Sequence, residues 1–148
     1  MPEKRSVFWF RRDLRLSDNH GLYQALVSGN KVLPIFIFDT EILSQLENKE
    51  DRRVDFIFQV LTDMNDELQK IGRAIQIFHG KPLEIFQKIT QDFAVEKVFC
   101  NEDYEPSAIK RDLAVAEFLN SKKIGFQSFK DQVHFHKYEI LKSDKTPY

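Results

Sequence analysis

Cysteine and glycine are both scarce in this sequence, and each scarcity excludes a class of function. The 148 residues contain one cysteine, Cys100, so an internal disulfide and a metal site built from several cysteines are both excluded. A single thiol also fits a reducing compartment. Only five glycines are present, and none has the spacing of a G-x-G-x-x-G fingerprint or of a P-loop. This absence argues against a dinucleotide-dependent dehydrogenase and against an NTPase.

A strong net charge and long apolar runs are missing as well. The formal net charge is −1, which offers no general basic surface, so any contact with DNA must be local or made by another region. No apolar run approaches the roughly 20 residues that span a bilayer. Residues 1–6 are charged and lack the apolar core of a signal peptide. We therefore expect a soluble cytoplasmic protein without a membrane partner.

Short apolar runs, many of them containing the 14 phenylalanines, alternate with helical patterns along the chain. The apolar runs predict strands over 7–10, 32–38, 74–78, 97–100 and 126–129. Pro34 lies within the second of these runs, which suggests a bulge or an early strand position, because proline has no backbone donor. Strands that alternate with helices predict an α/β fold. It is a five-stranded parallel, doubly wound, Rossmann-like sheet with helices on both faces.

Helix signals separate these runs. Ser17 or Asp18 is the predicted cap of the first helix, and Pro82 and Pro106 mark the starts of two later ones. Apolar residues at helical spacing predict the buried stripe of a long helix that ends at Gly72 and the stripe of the helix after Pro106. The first stripe comprises Val54, Ile57, Phe58, Leu61, Met64, Leu68 and Ile71, and the second Ile109, Leu113, Ala116 and Leu119.

Ligands of such folds bind beyond the carboxyl ends of the strands, which here are followed by the loops 11–18, 39–53, 79–81 and 101–105. The first loop contains three arginines and two aspartates, which fit either an ion-pair network that locks the loop or a site for an anion or a polar ring edge. Asp39 fits either a ribose-binding acid or a helix cap. The acids of 102–105 fit a helix amino terminus better than acid–base catalysis. His134 and His136 are too few for a zinc site, and no metal site is predicted.

Residues 7–19, which read VFWFRRDLRLSDN, resemble the opening signature of the photolyase/cryptochrome family. The resemblance continues through 38–43, Arg53, 80–82, 101–106 and 146–148. It implies that 1–131 form the amino-terminal α/β domain and that 132–148 begin the linker to a larger helical domain, which lies beyond this chain and holds FAD. In photolyases that domain accepts a flipped pyrimidine dimer from damaged DNA, and excited, reduced flavin donates an electron that splits the dimer.

The family also implies an antenna chromophore at the α/β domain, which passes excitation energy to the flavin. By resemblance, the pocket residues are Phe10, Arg11, Asp39, Arg53 and Asp103. The arginines would meet polar ring edges or phosphate, and Phe10 and Phe38 would give apolar contact. Members that use folate carry an Asn-Glu pair where this chain has Ser107 and Ala108. A deazaflavin or flavin antenna is therefore expected before folate, and no catalytic residue is expected within the chain.

Three functions remain open at this point. The first is the antenna domain of a DNA repair photolyase, a carbon–carbon lyase whose activity this chain alone would lack. The second is the same domain of a blue-light cryptochrome that does not repair DNA. The third is a stand-alone nucleotide-binding module of related architecture, which would require a glycine-rich phosphate loop that the sequence does not contain.

Overall fold

The computed structural model describes residues 3–11, 13–40 and 52–130, except for the side chains of residues 52 and 53. Strands and helices alternate along these ranges. They are β1 (Arg5–Phe10), α1 (His20–Leu26), β2 (Lys31–Asp39), α2 (Arg52–Gln69), β3 (Gln76–Gly80), α3 (Pro82–Asp92), β4 (Val95–Asn101), α4 (Pro106–Ser121) and β5 (Gly125–Phe129). The predicted linker, 132–148, lies outside the described residues, as do His134 and His136. No helix in the described ranges combines the length and apolar character needed to cross a membrane.

The five strands form one sheet in the order β3-β2-β1-β4-β5, and every neighbouring pair is parallel. This arrangement confirms the predicted fold class. The chain builds outward from β1 to β3 and then returns to the other side of β1 to build β4 and β5. The direction therefore reverses between β1 and β4, and their carboxyl ends form the switch point where such folds bind ligands.

Two apolar cores cover the two faces of the sheet. Val7 and Trp9 of β1 belong to the core beneath α3 and α4, whereas Phe8 and Phe10 belong to the core beneath α1 and α2. Successive side chains of a strand point to opposite faces, so a central strand that is covered on both faces needs an unbroken apolar run. The run from 7 to 10 satisfies this requirement.

The third strand begins and ends two residues later than predicted. Ile75 is buried against α2 but precedes the strand, because its backbone N–H donates to Asn65 Oδ1 at 2.7 Å instead of joining the sheet. His79 and Gly80, predicted to close the strand, continue the pairing with β2. The apolar run therefore located this strand but not its ends.

The predicted bulge at Pro34 is wrong. The register between β1 and β2 runs without interruption, and Pro34 lies opposite Phe8 within it. Pairing between β2 and β3 begins only at Ile35. Pro34 thus precedes the part of β2 that has strands paired on both sides, as the alternative prediction of an early strand position required.

The cap of α1 is Asn19 and not Ser17 or Asp18. The Oδ1 atom of Asn19 accepts a hydrogen bond from the N–H of Leu22 at 3.1 Å, as expected for a side chain that satisfies a free donor of the first turn. Asp18 precedes it with a φ of 52°, in the left-handed region. The turn through Asp18 delays the start of the helix beyond the two predicted caps.

The predicted stripe of α4 is wrong at Ile109 and Leu113, whereas Leu119 is buried as predicted and Ala116 is half-buried. Ile109 and Leu113 are 46% and 61% exposed, whereas Ala108, Val115 and Leu119 are buried. The reason is electrostatic, because the buried face of this helix also carries Arg111 and Asp112, which form ion pairs at the strand ends. In α2, Leu61 and Met64 are buried as predicted, but Phe58 is 44% exposed and Ile71 follows the helix with 70% of its surface exposed.

Candidate functional site

A cleft of about 440 Å³ opens at the carboxyl ends of β1 and β2, beside the switch point. This volume lies within the roughly 300–1,000 Å³ of small-molecule sites. Aromatic and aliphatic side chains form much of its wall, among them Trp9, Phe36, Phe38, Ile57 and Leu83. Its charged lining residues are Arg11, Asp39, Lys81, Asp103, Glu105 and Arg111. The cleft thus combines apolar walls with a small number of charged groups.

Arg11, Asp39 and Asp103, three of the five predicted pocket residues, line this one cleft, and Phe38 lines it too. Phe10 does not line the cleft: it is fully buried in the core beneath α1 and α2, where it packs on the Phe8 ring at 4.7 Å. Its neighbour Trp9 lines the cleft instead. The side chain of Arg53 lies outside the described residues, although its backbone belongs to α2.

The guanidinium of Arg11 ties β1 to β4 and α4. Its Nη1 donates to Asp112 Oδ1 at 2.5 Å and its Nη2 donates to the carbonyl of Asn101, while its plane lies over the Trp9 ring at 4.8 Å. Burial by itself lowers the pKa of Arg11, but the proximity of Cys100, Asp112 and Asp13 raises it, and the net direction is upward. The side chain therefore stays charged within a structural network, one of the two interpretations left open for this loop.

The carboxamide of Asn101, at the end of β4, makes hydrogen bonds across the switch point. Its Oδ1 accepts a hydrogen bond from the N–H of Gly21 at 2.8 Å, and its Nδ2 donates to Asp13 and Asn19. A Cβ on Gly21 would lie 2.6 Å from Asn101 Oδ1, so only glycine allows α1 to approach β4 this closely. These contacts fix the first loop and the start of α1 against β4.

Arg111 of α4 contributes a donor to the wall of the cleft. Its Nε donates to Asp112 Oδ1 at 3.2 Å, its Nη2 lies 3.6 Å from Asp103 Oδ2, and its plane lies over the Trp9 ring at 5.1 Å. Within the described part of the chain, Nη2 is buried and has no hydrogen-bond partner. Buried polar atoms are nearly always satisfied, so this unsatisfied donor on a residue that lines the cleft is unusual.

The acidic segment after β4 leads directly into α4. Asp103 Oδ1 accepts a hydrogen bond from the N–H of Glu105 at 3.3 Å, and Asp103 also pairs with Arg111. The hydroxyl of Tyr104 donates to Glu102 at 3.0 Å. Glu105 is the cap residue of α4 but its side chain makes no capping hydrogen bond, so the preference for a helix-terminus role over acid–base catalysis stays a prediction. Among the described residues, no three histidine, cysteine, aspartate or glutamate side chains are grouped to hold a metal ion.

One known protein family matches nearly the whole chain. The sequence model of the DNA photolyase family matches residues 6–148. The chain belongs to the DNA photolyase family. The resemblance of residues 7–19 and of the later segments to this family is thereby confirmed.

Relatives of this photolyase-family chain include both repair enzymes and cryptochromes. The deoxyribodipyrimidine photo-lyase of a Synechococcus strain is 32% identical over 142 residues, which are 96% of this chain and 29% of that protein. Cryptochrome-1 of Drosophila melanogaster is 32% identical over 127 residues, 82% of this chain and 23% of that protein. The solved photolyase of Sulfolobus tokodaii, which contains two FAD molecules, has a TM-score of 0.77 at 32% identity, over 89% of this chain and 32% of its own. The chain thus spans less than a third of the length of these relatives.

Some lining residues of this photolyase-family cleft were not predicted from the sequence, notably Trp9, Lys81 and Arg111. Trp9 was assigned only to the strand core, although its position at the carboxyl end of β1 placed it near the switch point. Arg111 follows Ser107 and Ala108 by about one helical turn, and both of those residues line the cleft. That spacing was the signal that could have identified Arg111.

Proposed function

We propose that this chain is the amino-terminal α/β domain of a light-driven DNA repair photolyase and that its cleft binds an antenna chromophore of the flavin or deazaflavin type. The observation that carries the proposal is the aromatic-walled cleft at the switch point, together with the unsatisfied guanidinium donor of Arg111, one of its lining residues. The Sulfolobus relative supports it, since that structure contains two FAD molecules and implicates a novel light-harvesting cofactor.

The wider arrangement belongs to the same proposal. Residues 1–131 form the domain, and 132–148 begin the connection to a carboxyl-terminal helical domain that holds the catalytic FAD and meets damaged DNA. We place the protein in the cytoplasm, since the free, buried thiol of Cys100 fits a reducing compartment.

The residues of the cleft fit a flat heteroaromatic ring. Trp9, Phe36 and Phe38 supply aromatic surface, and Leu83 adds apolar contact. Arg111 supplies the open donor for a polar ring edge. A bound antenna chromophore would absorb light and pass its excitation energy to the catalytic flavin. The protein side chains have the simpler task of holding the ring in one orientation and keeping water away from it.

The positions that face the cleft from the start of α4 disfavour folate. Ser107 and Ala108 both line it, and neither can supply the carboxylate with which folate-using members of the family grip the pterin. This arrangement supports a flavin-type chromophore over folate.

Titration of the 148-residue chain with chromophores tests the proposal. Riboflavin, FMN, an 8-hydroxy-5-deazaflavin and a reduced folate are each measured by fluorescence and by equilibrium dialysis. We expect binding of at least one flavin or deazaflavin and none of the folate. Ala114→Trp, which adds a large ring to the wall of the cleft, should abolish this binding. Lys110→Trp, an exposed change on the same helix, should not. Binding of the folate alone would reject the preference for flavins.

The cryptochrome alternative is supported by the Drosophila relative, whose identity equals that of the Synechococcus photo-lyase. The two functions differ in dimer repair, which depends on residues outside this chain. The full product of the gene that encodes this chain should be loaded with FAD and illuminated with a dimer-containing oligonucleotide. Loss of the dimer supports the photolyase, whereas photoreduction of the flavin without loss of the dimer supports the cryptochrome.

A further inference from the structure

We propose that Arg111, rather than Arg11, is the residue of the cleft that recognises the chromophore, and that it does so by donating to a carbonyl oxygen on the polar edge of a neutral, planar heteroaromatic ring. This inference rests on the proposed antenna function and assigns the ligand-binding role within it. The pyrimidine part of the flavin ring system carries two such carbonyl groups and sets the chemical class of the ligand.

Arg11 has little left to offer a ligand. Both terminal nitrogens of its guanidinium are engaged within the protein, one by the carboxylate of Asp112 and the other by the carbonyl of Asn101. Its side chain is only 7% exposed, although the residue borders the cleft. A ligand would have to share these terminal nitrogens with the contacts that join β1 to β4 and α4. Arg11 is therefore a positioning residue.

Arg111 has the opposite arrangement. Asp112 holds its Nε, and the Trp9 ring supports its plane, so the guanidinium is fixed on one edge and on one face. Its Nη2 is buried and makes no hydrogen bond to the described residues; the nearest charged partner is Asp103 at 3.6 Å. A fixed, dehydrated donor loses little conformational freedom when an acceptor arrives, so a hydrogen bond made there contributes strongly to affinity.

The charges around Arg111 favour a carbonyl over a phosphate. Two guanidiniums, those of Arg11 and Arg111, are accompanied by the carboxylates of Asp13, Asp103 and Asp112 in the same contact network. Among the charged residues that line the cleft, three cations balance three carboxylates, so a phosphate meets no net attraction there and still loses its water. A carbonyl oxygen accepts from the same donor at a smaller cost of dehydration.

The test compares ligands as well as variants of the 148-residue chain. Riboflavin, FMN and 2-thio- and 4-thioriboflavin, in which a poorly accepting sulfur replaces one carbonyl oxygen, are titrated against the unaltered chain, R111Q, R111K and K110Q. We expect R111Q to weaken riboflavin binding on the order of ten- to a hundredfold, as for the loss of a hydrogen bond to a charged group. K110Q, which removes an exposed charge from the same helix, should bind as the unaltered chain does. R111K should bind weakly despite keeping its charge, because it lacks the planar donor set.

The thio analogues distinguish recognition from mere structural support. The unaltered chain should prefer riboflavin to at least one thio analogue on the order of tenfold, and R111Q should have lost that preference. A damaged fold would weaken all the ligands together and would alter the circular dichroism spectrum. An unchanged preference in R111Q overturns the role of Arg111. A loss confined to FMN shows phosphate recognition and overturns the assignment to the ring edge.

The failure of this inference can be told apart from the failure of the proposed function. If the unaltered chain binds no flavin or deazaflavin, the antenna function itself is rejected, and the role of Arg111 falls with it. If the chain binds riboflavin and R111Q binds it equally well, the antenna function stands and the role of Arg111 is rejected.

Discussion

Asn101 joins three segments through one carboxamide, and its loss should destabilise the whole domain. Replacement by alanine removes the acceptor of the buried Gly21 N–H and the donor to Asp13 and Asn19. Unsatisfied buried polar groups cost about 1–3 kcal/mol each, so we expect Asn101→Ala to lower the free energy of unfolding by about 2–4 kcal/mol in urea titrations. Asn120→Ala, an exposed change on α4, should alter it by less than about 0.5 kcal/mol. Equal midpoints for the two variants would show that the carboxamide is dispensable.

Cys100 should be chemically inert in the folded protein. The residue is fully buried, and burial raises the pKa of its thiol to about 12 from an ordinary value of 9.0. Because the thiolate is the reactive form, we expect no reaction with a disulfide reagent at neutral pH and complete reaction in concentrated urea. Modification of the native chain at the rate seen in urea would refute this.

Because of the same pKa shift, the free energy of unfolding should depend on pH in the alkaline range. Folding favours the protonated thiol, so its contribution is fully present below pH 9.0 and is lost as the pH rises towards about 12. Cys100→Ala should therefore show a smaller loss of unfolding free energy over that interval than the unaltered chain. Other groups that titrate there are common to both chains, so the difference between the two isolates the thiol.

The sequence predicted which loop residues join the network at the switch point, but not the residues with which they pair. The loop after β1 was expected to hold either ion pairs or a ligand, and Arg11 was correctly placed in it. Its partner Asp112 lies 101 positions away, in the middle of a helix. That pairing depends on how α4 is rotated against the sheet, and no local pattern encodes this angle. The same rotation brought Arg111 to the cleft, which explains why it was not predicted.

At the scale of elements, alanine substitution of two leucines tests which face of α4 is turned towards the sheet. Leu119 is fully buried, whereas Leu113 is 61% exposed on the side that the sequence pattern assigned to the core. We expect Leu119→Ala to lower the free energy of unfolding by about 2–5 kcal/mol, since it leaves a cavity. Leu113→Ala should change it by less than about 0.5 kcal/mol. Urea denaturation followed by circular dichroism measures both. A larger cost at Leu113 would mean that the stripe of α4 first predicted from the sequence is the buried one.

A helix or strand could be predicted from the sequence where apolar burial alone determined it. The central strands must be apolar on both faces, so β1, β2 and β4 were found from their apolar runs alone. The start of β3 and the cap of α1 depend on single hydrogen bonds that the side chains of Asn65 and Asn19 accept, and the local sequence offers other candidates for both. The α4 stripe failed because ion pairs and apolar burial share one helix face there.

At the scale of the whole molecule, the strand order explains why the cleft lies where it does. The connections that follow β1 and β4 lead to helices on opposite faces of the sheet. The ends of β1 and β2, the loop after β4 and the starts of α3 and α4 surround the cleft. The contacts of Arg11, Asn101 and Arg111 at this edge are made within the described part of the chain. The binding tests of the proposed antenna site are therefore designed for this chain by itself.

Repair of DNA, in contrast, should not be measurable with this chain alone. The proposal assigns the catalytic flavin and the dimer to a helical domain, and the chain spans less than a third of the length of the Synechococcus and Sulfolobus photolyases. When the purified chain is mixed with FAD, a reductant and a dimer-containing oligonucleotide and then illuminated, we expect the dimer to remain intact in a chromatographic assay. A complete photolyase treated in parallel shows that the light and the substrate suffice. Loss of the dimer with this chain, above the level of free FAD, would mean that its cleft is a catalytic site, and the antenna role would have to be abandoned.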